Sequence, residues 1–261
     1  ENQFNWVYPT AKRYREEYID IIKTTAQAGS EARIKYESTL AGLANYAKNY
    51  GSMIESFNKG DMLSRKQREL AELQAWINGS KQRQNQYGKA LADLNSLVSQ
   101  SQQQQERDLI MAYIGRTNMM GVAKRLYRLA HEKSKPDAER KPGYQDRDMS
   151  RFTQGMQRVN RRYDAKVDKA VLSHFIAQYA ELSNEHRHSA FDRFFGLTKG
   201  FNASKLEQQL NRMHSKTELD QESVRLAWMD KSVDEFKKSD DPYIQFAVSQ
   251  YDYDRKLEQE S

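Results

Sequence analysis

The sequence contains 261 residues, of which 38% are hydrophobic and 30% are charged, and its formal net charge is +6. This balance, with only 12 Gly and four Pro, is typical of long amphipathic helices and argues against a compact α/β enzyme, whose many turns need both residues. The absence of cysteine excludes disulfides and thiolate chemistry, and no run approaches the roughly 18 apolar residues of a membrane-spanning helix.

Three helices are predicted in the first 80 residues. Pro9 suits the first turn of a helix that ends at Ala28-Gly29, and Ser30 is a candidate N-cap for the second. The second helix has an apolar stripe at alternating steps of four and three, made of Tyr36, Leu40, Leu43, Ala47, Tyr50, Ile54 and Phe57. A third helix over 64–77 ends at Asn78-Gly79.

The middle of the chain alternates helices with one long loop. Tyr87 to Val98 marks a fourth helix, and we interpret the Gln-rich run at 99–107 as an exposed turn or helix end. A helix over 107–131 follows, and then a loop over 133–148 that contains two prolines. The pattern predicts one further helix over about 148–182, which at 1.5 Å per residue would be roughly 50 Å long.

Shorter helices are predicted in the last third, near 189–196, 203–214, 217–236 and after Pro242. No period of 20 to 50 residues repeats, so the pattern does not indicate a solenoid. We therefore expect an all-α protein: one domain over 1–261, an elongated bundle of long antiparallel helices with shorter helices in the last third.

The residues alone do not indicate an enzyme or a cofactor. The sequence has no phosphate-binding glycine loop, no nucleophile elbow and no zinc-protease motif. His186 and His188 form an H-x-H pair, but two residues apart on a helix they point in different directions, so we expect no metal site. The other histidines are expected to lie at the surface or in packing contacts.

A basic segment lies between Arg116 and Lys169. It contains fifteen Lys and Arg against seven Asp and Glu, a local excess of eight positive charges. One hypothesis is a free-standing helical module that binds an anionic polymer or surface through this segment. The alternative, which we favour, is a solvated flank, because acidic residues are interleaved with the basic ones; we expect no nucleic acid partner.

The second helix has an unusual face opposite its apolar stripe. At 100° per residue this face consists of small or uncharged polar residues: Ser38, Ala41, Gly42, Asn45, Asn49, Ser52 and Ser56. Solvent exposure alone explains poorly why the face has no charge. It fits either packing against a neighbouring helix or contact with a bound polar ligand, and both interpretations stay open.

The same helix is similar to that of a known family. Several stretches of the chain, in the same order, resemble one inserted helical domain. They are ARIKYESTLAGLANYAKNYGSMI, SRKQRE, AWI, ERKPGYQDRD, VDKAVLSHFIAQY and SDDPYIQFA. That domain belongs to the bacterial dipeptidyl-peptidase 7 and dipeptidyl-peptidase 11 family, which includes dipeptidyl aminopeptidase BII. The resemblance covers essentially the whole chain and is strongest over 31–77.

The resemblance implies a role in a larger enzyme. Members are serine exopeptidases of the periplasm or cell envelope of Gram-negative bacteria, with a Ser-His-Asp triad on a double β-barrel. No segment here matches those that carry the triad. Because the chain begins at Glu1 without a signal segment, we expect a mature chain or an excised insert, inactive alone, whose partners are the barrel of the same polypeptide and the substrate N-terminus. The resemblance is also compatible with a homodimeric full-length enzyme.

The resemblance also implies one substrate-binding residue. In the family the helical domain covers the cleft, and an Asn helps to bind the free α-amino group of the peptide. Alignment of the Asn-Tyr pattern assigns this role to Asn49, with Asn45 as the weaker candidate. Two departures from the family pattern, Ala47 and Ser52, bear on the shape of the pocket wall. The side-chain specificity of the peptidase is expected to be set mainly by the barrel.

Overall fold

The computed structural model describes residues 8–26, 34, 37–38, 41–42, 44–45, 48–49, 51–52, 55, 61–161 and 163–260. Within these residues the regular structure is helical and no strand occurs, which confirms the all-α prediction. Contacts divide the chain into two compact units. The chain passes from one unit to the other after Asp20, after Glu37 and after Leu109. The single domain over 1–261 and its elongated shape stay predictions.

The first unit contains Glu1–Asp20 and Ser38–Leu109. Its described helices are α1 (Tyr8–Thr25, which continues past Asp20), α2 (Met62–Asn78) and α3 (Lys89–Gly115, which continues past Leu109), with the α-turn Lys81–Arg83 and the π-helix Gln84–Gly88 between the last two. The described residues of 34–55, here called the Asn49 segment, are all helical. The apolar stripe predicted for that segment and the boundary at 28–30 lie outside the described residues.

The second unit contains Ile21–Glu37 and Ile110–Ser261. Its further helices are α4 (Asn118–Lys133), α5 (Met149–Gln157), α6 (Ala165–Ala180), α7 (Ser189–Phe195), α8 (Ala203–Lys216), α9 (Glu222–Trp228), α10 (Val233–Lys238) and α11 (Pro242–Glu260). Helix α11 packs against α4, α7 and α10, while α6 packs against α8 and α5 against α9. Aromatic side chains fill the space around α11, where Phe191, Phe236 and Phe246 are fully buried.

Several predicted boundaries are confirmed. Helix α2 ends at Asn78, directly before Gly79, as its sequence predicts. The loop predicted over 133–148 contains only the short 3₁₀ turns Asp137–Glu139 and Asp146–Asp148. Gly196 ends α7 in the left-handed conformation, with φ 67°, which a glycine adopts without strain.

Three predictions of where helices continue or end are wrong. The Gln-rich run at 99–107 lies inside α3, because Gln is a fair helix former and Gln105 Nε2 donates to Ser101 Oγ one turn away at 3.1 Å. The helix predicted over 107–131 is interrupted at Thr117, whose backbone is extended. The helix predicted over 217–236 is divided before Ser232, whose hydroxyl accepts from the Glu235 N–H and starts α10 with a capping box.

The predicted 50 Å helix over 148–182 is also wrong. Helix α5 ends at Gln157, a 3₁₀ turn covers Arg158–Arg161, and α6 begins only at Ala165. Asp164 is the N-cap of α6, and its carboxylate accepts from the N–H groups of Lys166 at 2.9 Å and Val167 at 3.2 Å. Periodic apolar residues on both sides of the break had made the two helices look like one.

Candidate functional site

The uncharged face of the Asn49 segment is open to solvent. All of its described members are exposed: Ser38, Ala41, Gly42, Asn45, Asn49 and Ser52. Ser56 lies outside the described residues. A Cβ atom built on Gly42 meets no atom within 4 Å. None of the described residues therefore packs against the face at Gly42, which favours contact with a ligand over helix packing at that position.

Asn45 and Asn49 both lie on this exposed face. They are one turn apart on helical backbone, about 6 Å along the helix axis, so both amides are displayed on the same side. An Asn side chain offers a carbonyl acceptor and an NH₂ donor without a net charge. Such a surface can hydrogen-bond a polar ligand, and an ammonium group in particular, at the carbonyl oxygens.

The histidine pair of the sequence is not brought together as a metal site. The His186 ring lies in a 3₁₀ turn with Nδ1 2.7 Å from Ser183 Oγ, whereas His188 precedes α7 and its ring contacts the Tyr253 ring, with centroids 3.5 Å apart. Within the part of the chain that the structure describes, no group of three or more His, Cys, Asp or Glu is arranged to hold a metal.

The remaining histidines pack against aromatic rings, as predicted. His131 stacks on Tyr251 with centroids 4.0 Å apart, and His174 meets the edge of Phe175. His214 lies 3.0 Å from the Tyr243 hydroxyl. Burial lowers the pKa of both His131 and His214, which favours their neutral forms at neutral pH.

Comparison with known proteins identifies the family. The profile of the family described as Peptidase S46 matches residues 1–261. This chain belongs to the Peptidase S46 family. An Asp/Glu-specific dipeptidyl-peptidase of Shewanella putrefaciens (strain CN-32 / ATCC BAA-453) is 33% identical over 249 residues, which are 95% of this chain and 33% of the relative. The resemblance to dipeptidyl peptidases is thereby confirmed, and the chain spans about a third of the length of this curated relative.

Several residues of the basic segment of this Peptidase S46 chain form ion pairs. Lys124 pairs with Asp254 at 2.9 Å, Lys133 with Asp230 at 2.9 Å, and Arg140 with Asp146 at 2.7 Å. Glu132, which is fully buried, accepts a hydrogen bond from Lys135 Nζ at 2.9 Å and forms an ion pair with Arg128 at 2.7 Å. Part of the local charge excess is therefore balanced by carboxylates from distant parts of the sequence, such as Asp230 and Asp254.

Sequence reasoning did not identify the buried carboxylate of Asp168 in the first turn of α6. Asp168 accepts from the Asn118 side chain at 2.8 Å and from the Met119 N–H at 3.1 Å, so it caps the start of α4. Burial raises its pKa to about 6. A buried acid with a raised pKa is a common sign of a catalytic site, but here the contacts account for Asp168 as a helix cap. Candidate functional residues in this Peptidase S46 chain thus centre on the Asn49 segment.

In the described residues, no helix is both long and apolar enough to cross a membrane.

Proposed function

We propose that this chain is the helical domain of a dipeptidyl peptidase, where it covers the substrate cleft and binds the α-amino group of the peptide through Asn49. Membership of the Peptidase S46 family supports the enzyme class. The match to about a third of a dipeptidyl-peptidase supports a role as one part of a longer polypeptide. The observation that carries the proposal is the exposed, uncharged face on which Asn49 lies.

The chemistry of an amide suits this role. A peptide N-terminus carries a positive charge, and an Asn carbonyl can accept a hydrogen bond from it without a second charge being removed from water. The small residues on the same face as Asn49, such as Ser52 one turn away and Gly42 two turns away, leave room for the close approach of a peptide backbone. Asn45 is proposed as a supporting residue, one turn further from the amino group.

The reaction itself is assigned to residues outside this chain. We propose that a Ser-His-Asp triad on a double β-barrel of the same polypeptide cleaves the peptide after its second residue. Binding of the free amino group at a fixed distance from the triad would set the length of the product. A location in the periplasm or envelope of a Gram-negative bacterium is part of the same proposal.

The test uses the complete peptidase and compares Asn49→Ala with Asn45→Ala. Loss of a hydrogen bond to a charged group is worth about 1.5 to 3 kcal/mol, so Asn49→Ala should lower kcat/KM for dipeptidyl substrates by roughly 10- to 150-fold. Asn45→Ala should have a clearly smaller effect. Unchanged kinetics of Asn49→Ala would reject the role of this residue, and dipeptidyl-peptidase activity of the isolated chain would reject the assignment of the triad to another domain.

A further inference from the structure

A charged groove lies in the second unit, between α4, α11 and the loop that follows α4. Its volume is about 450 Å³. This volume is within the range of small-molecule and peptide binding pockets. The groove is formed from residues 124–128, 141–144 and 251–258, so it is independent of the Asn49 segment and of the function proposed for it.

Cationic groups outnumber carboxylates in this α4–α11 groove. Helix α4 contributes Lys124, Arg125 and Arg128, the loop contributes Lys141, and α11 contributes Arg255. The lining carboxylates are Asp254 and Glu258, both on α11. The lining groups carry an excess of three positive charges, or two when the buried Glu132 that pairs with Arg128 is included, and this excess favours an anionic ligand.

Three of these cations converge on one carboxylate. Glu258 lies 3.2 Å from Arg128 Nη1 and 3.5 Å from Lys141 Nζ, and it also pairs with Arg255 Nη1. The three cations come from α4, the loop and α11, so the fold assembles a position that binds a carboxylate. Guanidinium groups are well suited to pairing with a carboxylate at such a position.

The burial of these groups differs in a way that suits ligand exchange. The side chain of Arg128 is only 11% exposed and that of Arg255 is 23% exposed, so their positions are held by the surrounding structure. Glu258 is 42% exposed and lies near the end of α11, where a rotamer change can remove its carboxylate from the groove. The aromatic rings of Tyr144 and Tyr251 add an apolar wall beside the cations.

We propose that the α4–α11 groove is a binding site for a carboxylate ligand, whose carboxylate takes the position of Glu258 between Arg128, Lys141 and Arg255. The ligand is either the acidic side chain of a peptide or a small dicarboxylic acid, which share this chemistry. Glu258 acts as an internal competitor: it satisfies the cations when the ligand is absent and moves into solvent when the ligand binds.

The experiment is a calorimetric titration of the 261-residue chain at low ionic strength with glutarate and with acetyl-Glu-Glu-amide. The acetyl group removes the free amino terminus, so binding at the Asn49 face does not contribute. Binding of both probes, or of glutarate alone, supports a site for small carboxylates, and binding of the peptide alone supports an acidic peptide. Absence of binding for both probes, or equal binding of acetyl-Gln-Gln-amide, overturns the proposal.

Variants test the role of Glu258. Glu258→Gln should strengthen binding by at least threefold because the competitor is removed, whereas the matched Glu139→Gln, an exposed carboxylate of the same loop region, should leave it within twofold. Lys141→Gln and Arg255→Gln should each weaken binding by at least fivefold, with melting curves used to establish that each variant is folded. Weaker binding by Glu258→Gln overturns the competitor role and with it the proposal.

Discussion

Arg225 Nε donates a hydrogen bond of 2.9 Å to the backbone carbonyl of Met156, and the guanidinium that does so is fully buried. Nη1 of the same group donates to the Leu219 carbonyl at 2.7 Å, and Nη2 donates to the Asn160 side chain. One side chain of α9 thus joins the end of α5, the following 3₁₀ turn and the loop before α9. The contact lies at the place where the predicted long helix is broken.

Replacement of Arg225 by Ala should strongly destabilise the second unit. The change removes three hydrogen bonds, two of them to backbone carbonyls of buried residues, and creates a cavity, so the free energy of unfolding should fall by about 3 to 5 kcal/mol. Urea denaturation followed by circular dichroism measures the loss. Arg212→Ala is the matched control, because Arg212 is exposed on α8, and its effect should stay within about 0.5 kcal/mol. Equal losses in the two variants would contradict the role assigned to Arg225.

The buried carboxylate of Asp168 should make stability depend on pH. Its pKa is raised from the ordinary value of 3.8 to about 6, so the folded chain holds this proton more tightly than the unfolded chain does. The resulting stabilisation is complete below about pH 4 and is lost as the pH rises through about 6, a change of about 3 kcal/mol. Asn at this position does not titrate.

The measurement compares Asp168→Asn with the unmodified chain by urea denaturation between pH 4 and pH 7.5. The unfolding free energy of the variant should rise relative to that of the unmodified chain by up to about 3 kcal/mol over this interval. Other titrating groups are common to both proteins and cancel in the difference. Parallel curves would show that Asp168 ionises equally easily in the folded and unfolded chains.

Gly42 and Gly143 form a matched pair for a test of backbone conformation. A Cβ atom built on either residue meets nothing within 4 Å, but Gly42 is helical while Gly143 has a φ of +93°. Gly42→Ala should therefore stabilise the chain by about 0.5 to 1 kcal/mol through helix propensity. Gly143→Ala should destabilise it by about 1 kcal/mol or more, because φ is incompatible with a side chain.

Thermal unfolding of both variants, followed by circular dichroism at 222 nm, measures whether each substitution raises or lowers stability. A loss of stability in Gly42→Ala would mean that the face of the Asn49 segment is covered in solution. That result would also remove the exposed face as support for peptide binding by Asn49.

Helix type was predictable from the sequence, but helix ends were predictable only where the signal is local. Gly79 and Gly196 directly follow the last residues of α2 and α7, and Gly196 ends its helix in the left-handed conformation that glycine adopts easily. The break before α4 depends on Asp168, which is 49 residues away from Met119 in sequence. The break after α5 depends on Arg225, 69 residues from Met156. Long-range contacts of this kind leave no mark on local periodicity.

The Asn49 face and the α4–α11 groove also differ in how far the sequence could predict them. The uncharged face with Asn49 follows from the spacing of residues within one helix, so the sequence was sufficient to define it. The α4–α11 groove pairs Arg128 with Glu258, 130 positions further along the chain, and the local charge count at 116–169 could not include that partner. The charge excess of a sequence segment is therefore a poor guide to the net charge of the surface that the segment forms after folding.

The open space at Gly42 has a practical consequence for following substrate binding. Because the sequence contains no cysteine, Gly42→Cys would introduce a single thiol into the chain. Its position on the exposed face, one turn before Asn45, would allow a fluorophore or spin label to be attached without displacing any described side chain. Such a label would report whether a peptide reaches this face, and on what timescale, without any need to observe cleavage.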